Sequence, residues 1–151
     1  MPTKKSKKAK PKHSAKPAAR KSAPARARKA GESEQSRGAF QAIHGMLETL
    51  APQLSVVADK PHNYYLNTAS PSWKGKPLFF AAVQLMKNYV TYHLFPVYMN
   101  PGLLAGMSPA LKKHMQGKAC FNFTEVDMIL FTELAVLTIA GFREYEKKGL
   151  L

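Results

Sequence analysis

Residues 78–97 read LFFAAVQLMKNYVTYHLFPV, and this stretch decides the fold. Leu78 to Met86 and Tyr89 to Val97 are dense in aromatic and β-branched side chains, which suit a pleated, half-buried surface, so each reads as a strand. The two residues between them, Lys87 and Asn88, suit a tight hairpin, because Asn tolerates the left-handed backbone that such turns use. The centre of the chain is therefore an antiparallel pair.

Working toward the N-terminus, Ala69 to Pro77 (ASPSWKGKP) is rich in Ser, Pro and Gly and reads as a loop. Before it, Val56 to Asp59 and Tyr64 to Thr68 are short β-rich pieces around a Lys60-Pro61 turn. Further upstream Phe40, Ile43, Leu47, Leu50 and Leu54 follow at spacings of 3, 4, 3 and 4, which places one apolar stripe on a helix from about Ser33 to Pro52 or Leu54. Toward the C-terminus, Ser108 and Pro109 look like an N-cap and an N1 proline opening a short helix, Ala110 to Gln116, closed by Gly117. Ala119 to Phe123 (ACFNF) suits a last edge strand. Thr124-Glu125-Val126-Asp127 matches a capping box, and a long helix follows to about Lys148. The expected architecture is α+β: an antiparallel β-sheet with N- and C-terminal helices packed on one face.

Charge divides the chain into two parts. Residues 1–30 carry 12 basic and no acidic side chains, whereas residues 31–151 carry 11 basic and 9 acidic, so +12 of the +14 net charge lies in one fifth of the length. The basic stretch contains no Val, Ile, Leu, Phe, Trp or Tyr and is interrupted by prolines, so nothing in it offsets the entropy of ordering. Residues 1–31 are expected to be a disordered tail and 32–151 a folded domain. Lys4, Lys5, Lys7, Lys8, Lys10, Lys12, Lys16, Arg20, Lys21, Arg26, Arg28 and Lys29 are the candidate contacts to nucleic acid or another polyanion, through phosphate neutralisation without base reading.

Several classes are excluded by composition. The single cysteine, Cys120, cannot form an intramolecular disulfide or a multi-cysteine zinc site. The first 30 residues offer no apolar core for a secretory signal and no amphipathic face for a transit peptide, so a cytoplasmic, nucleoid-associated location is expected. Met128 to Phe142, the longest apolar stretch, falls short of the ~20 residues a spanning helix needs and contains Glu133, so no membrane partner is expected.

The stretch from Gly75 to Phe123 carries G-K-P-L-F-F at Gly75 to Phe80, K-N-Y-V-T-Y-H-L-F-P-V-Y at Lys87 to Tyr98, S-P-A-L-K-K at Ser108 to Lys113 and G-K-A-C-F-N-F at Gly117 to Phe123. These segments closely resemble the YdhG-like family of bacterial domains of unknown function, over about residues 40–146. The resemblance implies a frataxin-like α+β fold and, through that association, intracellular iron handling. Such a role requires clustered carboxylates, because oxygen donors suit iron ions. The first helix region offers Glu32, Glu34 and Glu48, followed by Asp59, with Arg37 among them. The tail lies outside the match and resembles, in composition, the basic tails of linker histones and of some bacterial DNA-associated proteins.

Two further constellations stand out. His93 lies on a strand and shares the odd-numbered face with Tyr89, Thr91 and Phe95; Tyr92, His93, Lys118 and Cys120 are candidates to line a ligand pocket. A metal site drawing on His93, His114 and Cys120 has no ligand-pair spacing to support it, and the commoner fate of a cysteine is burial as a small hydrophobe. By that reading Cys120 alkylates slowly and its replacement by serine lowers stability. Trp73, beside Lys74 and Lys76 in a loop, is a candidate partner surface, with folding back onto the core as the alternative. The expected function is a small non-enzymatic binding module attached to polyanions by its tail, with no cofactor required. An intracellular iron chaperone and an enzyme with a pocket around His93 and Cys120 are the competing readings.

Overall fold

A computed structural model describes residues 33–151; the expectations for the basic residues of 1–31 and for Glu32 lie outside the described residues. The elements run α1 (Glu34–Glu48), β1 (Leu54–Lys60), β2 (Asn63–Thr68), β3 (Phe79–Leu85), β4 (Val90–Leu94), α2 (Phe95–Met99), α3 (Pro109–Lys112), β5 (Met115–Gln116), β6 (Cys120–Phe123) and α4 (Met128–Lys147). Six antiparallel strands form one sheet in the order β1-β2-β3-β4-β6-β5. The fold is α+β, and among the described residues no helix is long and apolar enough to cross a membrane.

The hairpin at the centre forms as its sequence dictates. Leu85 pairs with Val90, and the Met86 amide donates to the Tyr89 carbonyl at 2.8 Å, leaving Lys87 and Asn88 as the connection. Asn88 is not left-handed; Lys74 is the one described non-glycine residue with positive φ. Alternation along the strands then sorts the side chains. Tyr64 and Leu66 of β2, Ala81, Val83 and Leu85 of β3, Val90, Tyr92 and Leu94 of β4, and Phe121 and Phe123 of β6 are buried on one face. A bulge in β3 between the Ala81 and Phe79 pairings turns Phe80 to that face too, where its ring meets Phe142 and Tyr145 of α4 edge-on at 6.1 and 5.6 Å. Ala39, Phe40, Ile43 and Leu47 of α1 and Leu130, Phe131, Leu134, Leu137 and Phe142 of α4 complete this core. Each large side chain so buried contributes about 1.5–3 kcal/mol.

Several boundaries differ from the sequence reading, each for a local reason. The first helix stops at Glu48; Pro52 sits inside a short 3₁₀ turn at Ala51–Gln53, and Leu54 is already in β1. β4 stops at Leu94, and Pro96 at the start of α2 turns the expected strand end Phe95–Val97 into helix. The Ser108 cap and Pro109 open α3 as expected, but the helix is a single turn, and Gly117 (φ 78°) serves the β5–β6 connection instead of closing it. β6 is an interior strand between β4 and β5. The capping box is replaced by a simpler cap: Asp127 Oδ1 accepts from the Ile129 and Leu130 amides, each at 3.1 Å, so α4 begins at Met128.

Two contacts lock α4 to its surroundings. Glu133 reaches α3, where Oε2 accepts from the Ser108 amide at 2.6 Å and Oε1 from the Ser108 hydroxyl at 2.7 Å. Gly141 lies against Pro96; a Cβ there would stand 3.0 Å from the proline ring, so any side chain at 141 would press α4 and α2 apart by a few tenths of an ångström.

Candidate ligand site on the open sheet face

The sheet's second face is built by the same alternation and stays half-exposed, because α1 and α4 lie on the first. Register places Ala58, Tyr65, Ala82, His93, Cys120 and Gln116 in one row across five strand junctions. A neighbouring row runs Lys60, Asn63, Gln84, Thr91 and Asn122. Along the edge of these rows an aromatic run begins with Tyr65 stacked on Phe79 (4.7 Å), continues to Phe95 (5.9 Å) and ends with Tyr98 stacked on Phe95 (5.4 Å). Lys118 Nζ lies 6.0 Å from the Tyr98 ring, within cation–π range.

Where the row and the aromatic run converge, a pocket of about 290 Å³ opens. Phe79, His93, Phe95, Tyr98, Lys118 and Cys120 line it. Cys120 Sγ stands 2.8 Å from His93 Nδ1. Desolvation holds the His93 imidazole below its ordinary pKa and the Cys120 thiol above its own, so both are pushed toward their neutral forms. The contact then joins a neutral thiol to a neutral imidazole, and the ring tautomer sets which of the two donates. A thiolate–imidazolium pair, which nucleophilic chemistry needs, would require the opposite shifts. The site is shaped to receive a small group between an aromatic wall, a lysine and a neutral donor–acceptor pair. On the same face, outside the pocket lining, the Asn63 and Asn67 side-chain oxygens are buried without a hydrogen-bond partner among the described residues.

Three of the four residues expected to line a pocket do so: His93, Lys118 and Cys120. Tyr92 does not. As the neighbour of His93 it points to the opposite face, where it is fully buried and its hydroxyl lies 2.7 Å from Thr138 of α4. Cys120 is not a core residue either, being half-buried at the pocket wall. Phe95, expected beside His93 as part of the same strand, instead reaches the pocket with Tyr98 from α2, whose helical turn follows from Pro96, while Phe79 reaches it from β3. His114 is elsewhere engaged, with Nδ1 2.8 Å from the Asn122 carbonyl and its ring stacked on Phe123.

Trp73 is 43% exposed and does not fold back onto the core. Trp73 and Lys76 exchange backbone hydrogen bonds of 3.1 and 2.9 Å across Lys74 (φ 52°) and Gly75 (φ 80°), a tight turn with both central residues left-handed. The indole is displayed at this turn with Lys74 Nζ 5.8 Å from its ring, and Lys74 and Lys76 are exposed beside it.

Among the described residues the candidate carboxylates are spread over α1 and β1. Glu34 and Glu48 stand at opposite ends of α1, about 21 Å apart at 1.5 Å per residue. Glu48 and Asp59 do approach each other, but around His44: Nδ1 lies 3.2 Å from Glu48 and Nε2 3.3 Å from Asp59, with the ring held between Phe40 and Tyr64. Burial, with Glu48 and Asp59 nearby, raises the Tyr64 pKa. Among the described residues no three His, Cys, Asp or Glu side chains converge to hold a metal ion. No family model, no curated protein and no solved structure matches the chain.

Proposed function

We propose that this chain is a binding module of the YdhG-like type, not an enzyme, fastened to nucleic acid or another polyanion through residues 1–30. The observation that carries the attachment is the segregation of charge: 12 basic and no acidic side chains in that stretch, against near balance in the rest. Such a segment gains affinity by releasing counterions from phosphates and has no means of reading base edges. The open sheet face supplies the ligand site of the folded part. Its neutral thiol–imidazole pair, aromatic wall and lysine suit capture of a small polar ligand more than bond-making. The iron-chaperone reading gains no support from the carboxylates, since Glu48 and Asp59 are engaged with His44 and Glu34 is remote from both.

Electrophoretic shift of duplex DNA tests the attachment. A chain beginning at Gly31 keeps every described element, whose first cap is Ser33. The full chain retards duplex of any sequence at low salt, the shortened chain does not, and the difference disappears at high salt. Retardation that survives loss of residues 1–30 would move the binding surface onto the folded part and refute the proposal.

A further inference from the structure

α4 has two apolar faces. Leu130, Leu134, Leu137, Gly141 and Tyr145 turn into the core. On the opposite side Ile129 is 81% exposed, Val136 64% and Ile139 45%. With Thr132 these residues follow at spacings of 3, 4 and 3, the a/d pattern of a coiled-coil seam. A helix that is apolar all round is ordinarily covered on both sides. The seam is also free of charge, since Glu133, the one ionisable residue between Met128 and Phe142, is bound to Ser108. Shallow apolar grooves flank it, one of about 240 Å³ beside Met46 and Met128 and one of about 160 Å³ beside Leu103 and Met107.

We propose that this face joins two copies of the chain, α4 packing antiparallel on α4 about a two-fold axis. Three observations select a second copy as the occupant. The chain's own residues 1–30 contain no large aliphatic or aromatic side chain to fill the seam. An antiparallel pair centred level with Leu134 sets Ile129 across from Ile139 of the second copy and Thr132 across from Val136, so the seam is complementary to itself, as a two-fold contact demands. Glu125, in the bend before the helix, and Arg143, near the helix end, bring opposite charges toward each end of such an antiparallel pair. Both are exposed, and neither has an ion-pair partner among the described residues. Hydrophobic seam and charge match thus call for one geometry. Each dimer carries two basic tails, which strengthens polyanion attachment by linking two binding segments.

Sedimentation equilibrium of the full chain at high salt, where polyanion binding is suppressed, measures the dimer directly. Ile129→Asp raises the dissociation constant by at least about a hundredfold, because the change acts twice in a symmetric contact. Thermal melting stays within a few degrees of the parent, since Ile129 is outside the core. Glu125→Arg and Arg143→Glu each raise the dissociation constant about tenfold, and the double swap restores it. These exposed positions keep the test valid if Ile129→Asp disturbs the helix. A chain monomeric at all concentrations overturns the proposal, whatever else then binds the face. So does a dimer indifferent to Ile129→Asp, and a double swap that fails to restore association overturns the antiparallel register.

Discussion

The Tyr92 hydroxyl donates to Thr138 Oγ1 at 2.7 Å, and the direction of that bond is fixed by the next one: Thr138 uses its own proton on the Leu134 carbonyl at 2.7 Å. The chain of bonds ties β4 to α4 through the core, where Tyr92 is fully buried and Thr138 is 1% exposed. Desolvation drives the Tyr92 pKa far above its usual value, so the phenol stays protonated and a donor.

Unequal costs follow from this direction. Tyr92→Phe removes a donor and leaves Thr138 still bonded to Leu134, for about 0.5–1.5 kcal/mol. Thr138→Val leaves the buried Tyr92 hydroxyl without an acceptor, for about 1–3 kcal/mol. The double variant costs less than the sum. Denaturant unfolding of the four chains checks the cycle, and additive losses would show that the two hydroxyls do not interact.

Cys120 is reachable in the native chain, with a half-open pocket in front of it. It therefore reacts with a small alkylating agent without unfolding, with a pH midpoint above that of a free thiol because burial raises its pKa. Cys120→Ser changes stability by less than about 1 kcal/mol, since a hydroxyl can keep the bond to His93 at a partly solvated site. A thiol that alkylates only at the rate of global unfolding would show Cys120 to be core after all.

The same pair gives stability a pH window. The His93 pKa is lowered on folding, so below about 6.5 the unfolded chain takes up a proton that the folded chain resists, and stability falls as pH falls. The Cys120 pKa is raised, so above about 8.5 the unfolded chain releases a proton the folded chain keeps, and stability falls as pH rises. Melting across this range, compared with the parent, should show His93→Gln flattening only the acid flank and Cys120→Ser only the alkaline one. Identical curves in parent and variants would remove both residues from the pH dependence.

Glu133 interrupts the longest apolar stretch because α3 needs an acceptor. Glu133→Ala strips the Ser108 amide and hydroxyl of a charged partner and costs about 1–2 kcal/mol, discounted for partial exposure. Because Ser108 Oγ also accepts from the Leu111 amide, the loss is local: native-state hydrogen exchange should quicken at Leu111 and Lys112 before it does in β3 or β4.

The central strands were legible because alternation and turn chemistry agree there: the Lys87-Asn88 connection follows from turn chemistry, and the shared face of Thr91 and His93 from period two. The sequence reading lost accuracy where a proline or a long-range pairing decided the outcome. Pro96 converts an apparent strand end into α2, and that turn alone carries Phe95 and Tyr98 to the pocket. The contact of His93 with Cys120 depends on β4 pairing with β6, a choice of neighbour that no local pattern encodes. Tyr92 was grouped with His93 by adjacency, which in a strand means opposite faces. The second apolar stripe on α4 was hidden inside a stretch apolar enough to read simply as core.

The proposed anchor is the basic tail, and the salt dependence of duplex-DNA binding by the full chain tests it most directly. If about ten of the 12 tail cations neutralise phosphates, the logarithm of the binding constant falls with the logarithm of salt concentration at a slope near −9 per chain, equally for unrelated sequences. A chain beginning at Gly31 shows no measurable binding in the same titration. A slope that is shallow and unchanged by removing the tail, or an affinity that depends on base sequence, would contradict the account.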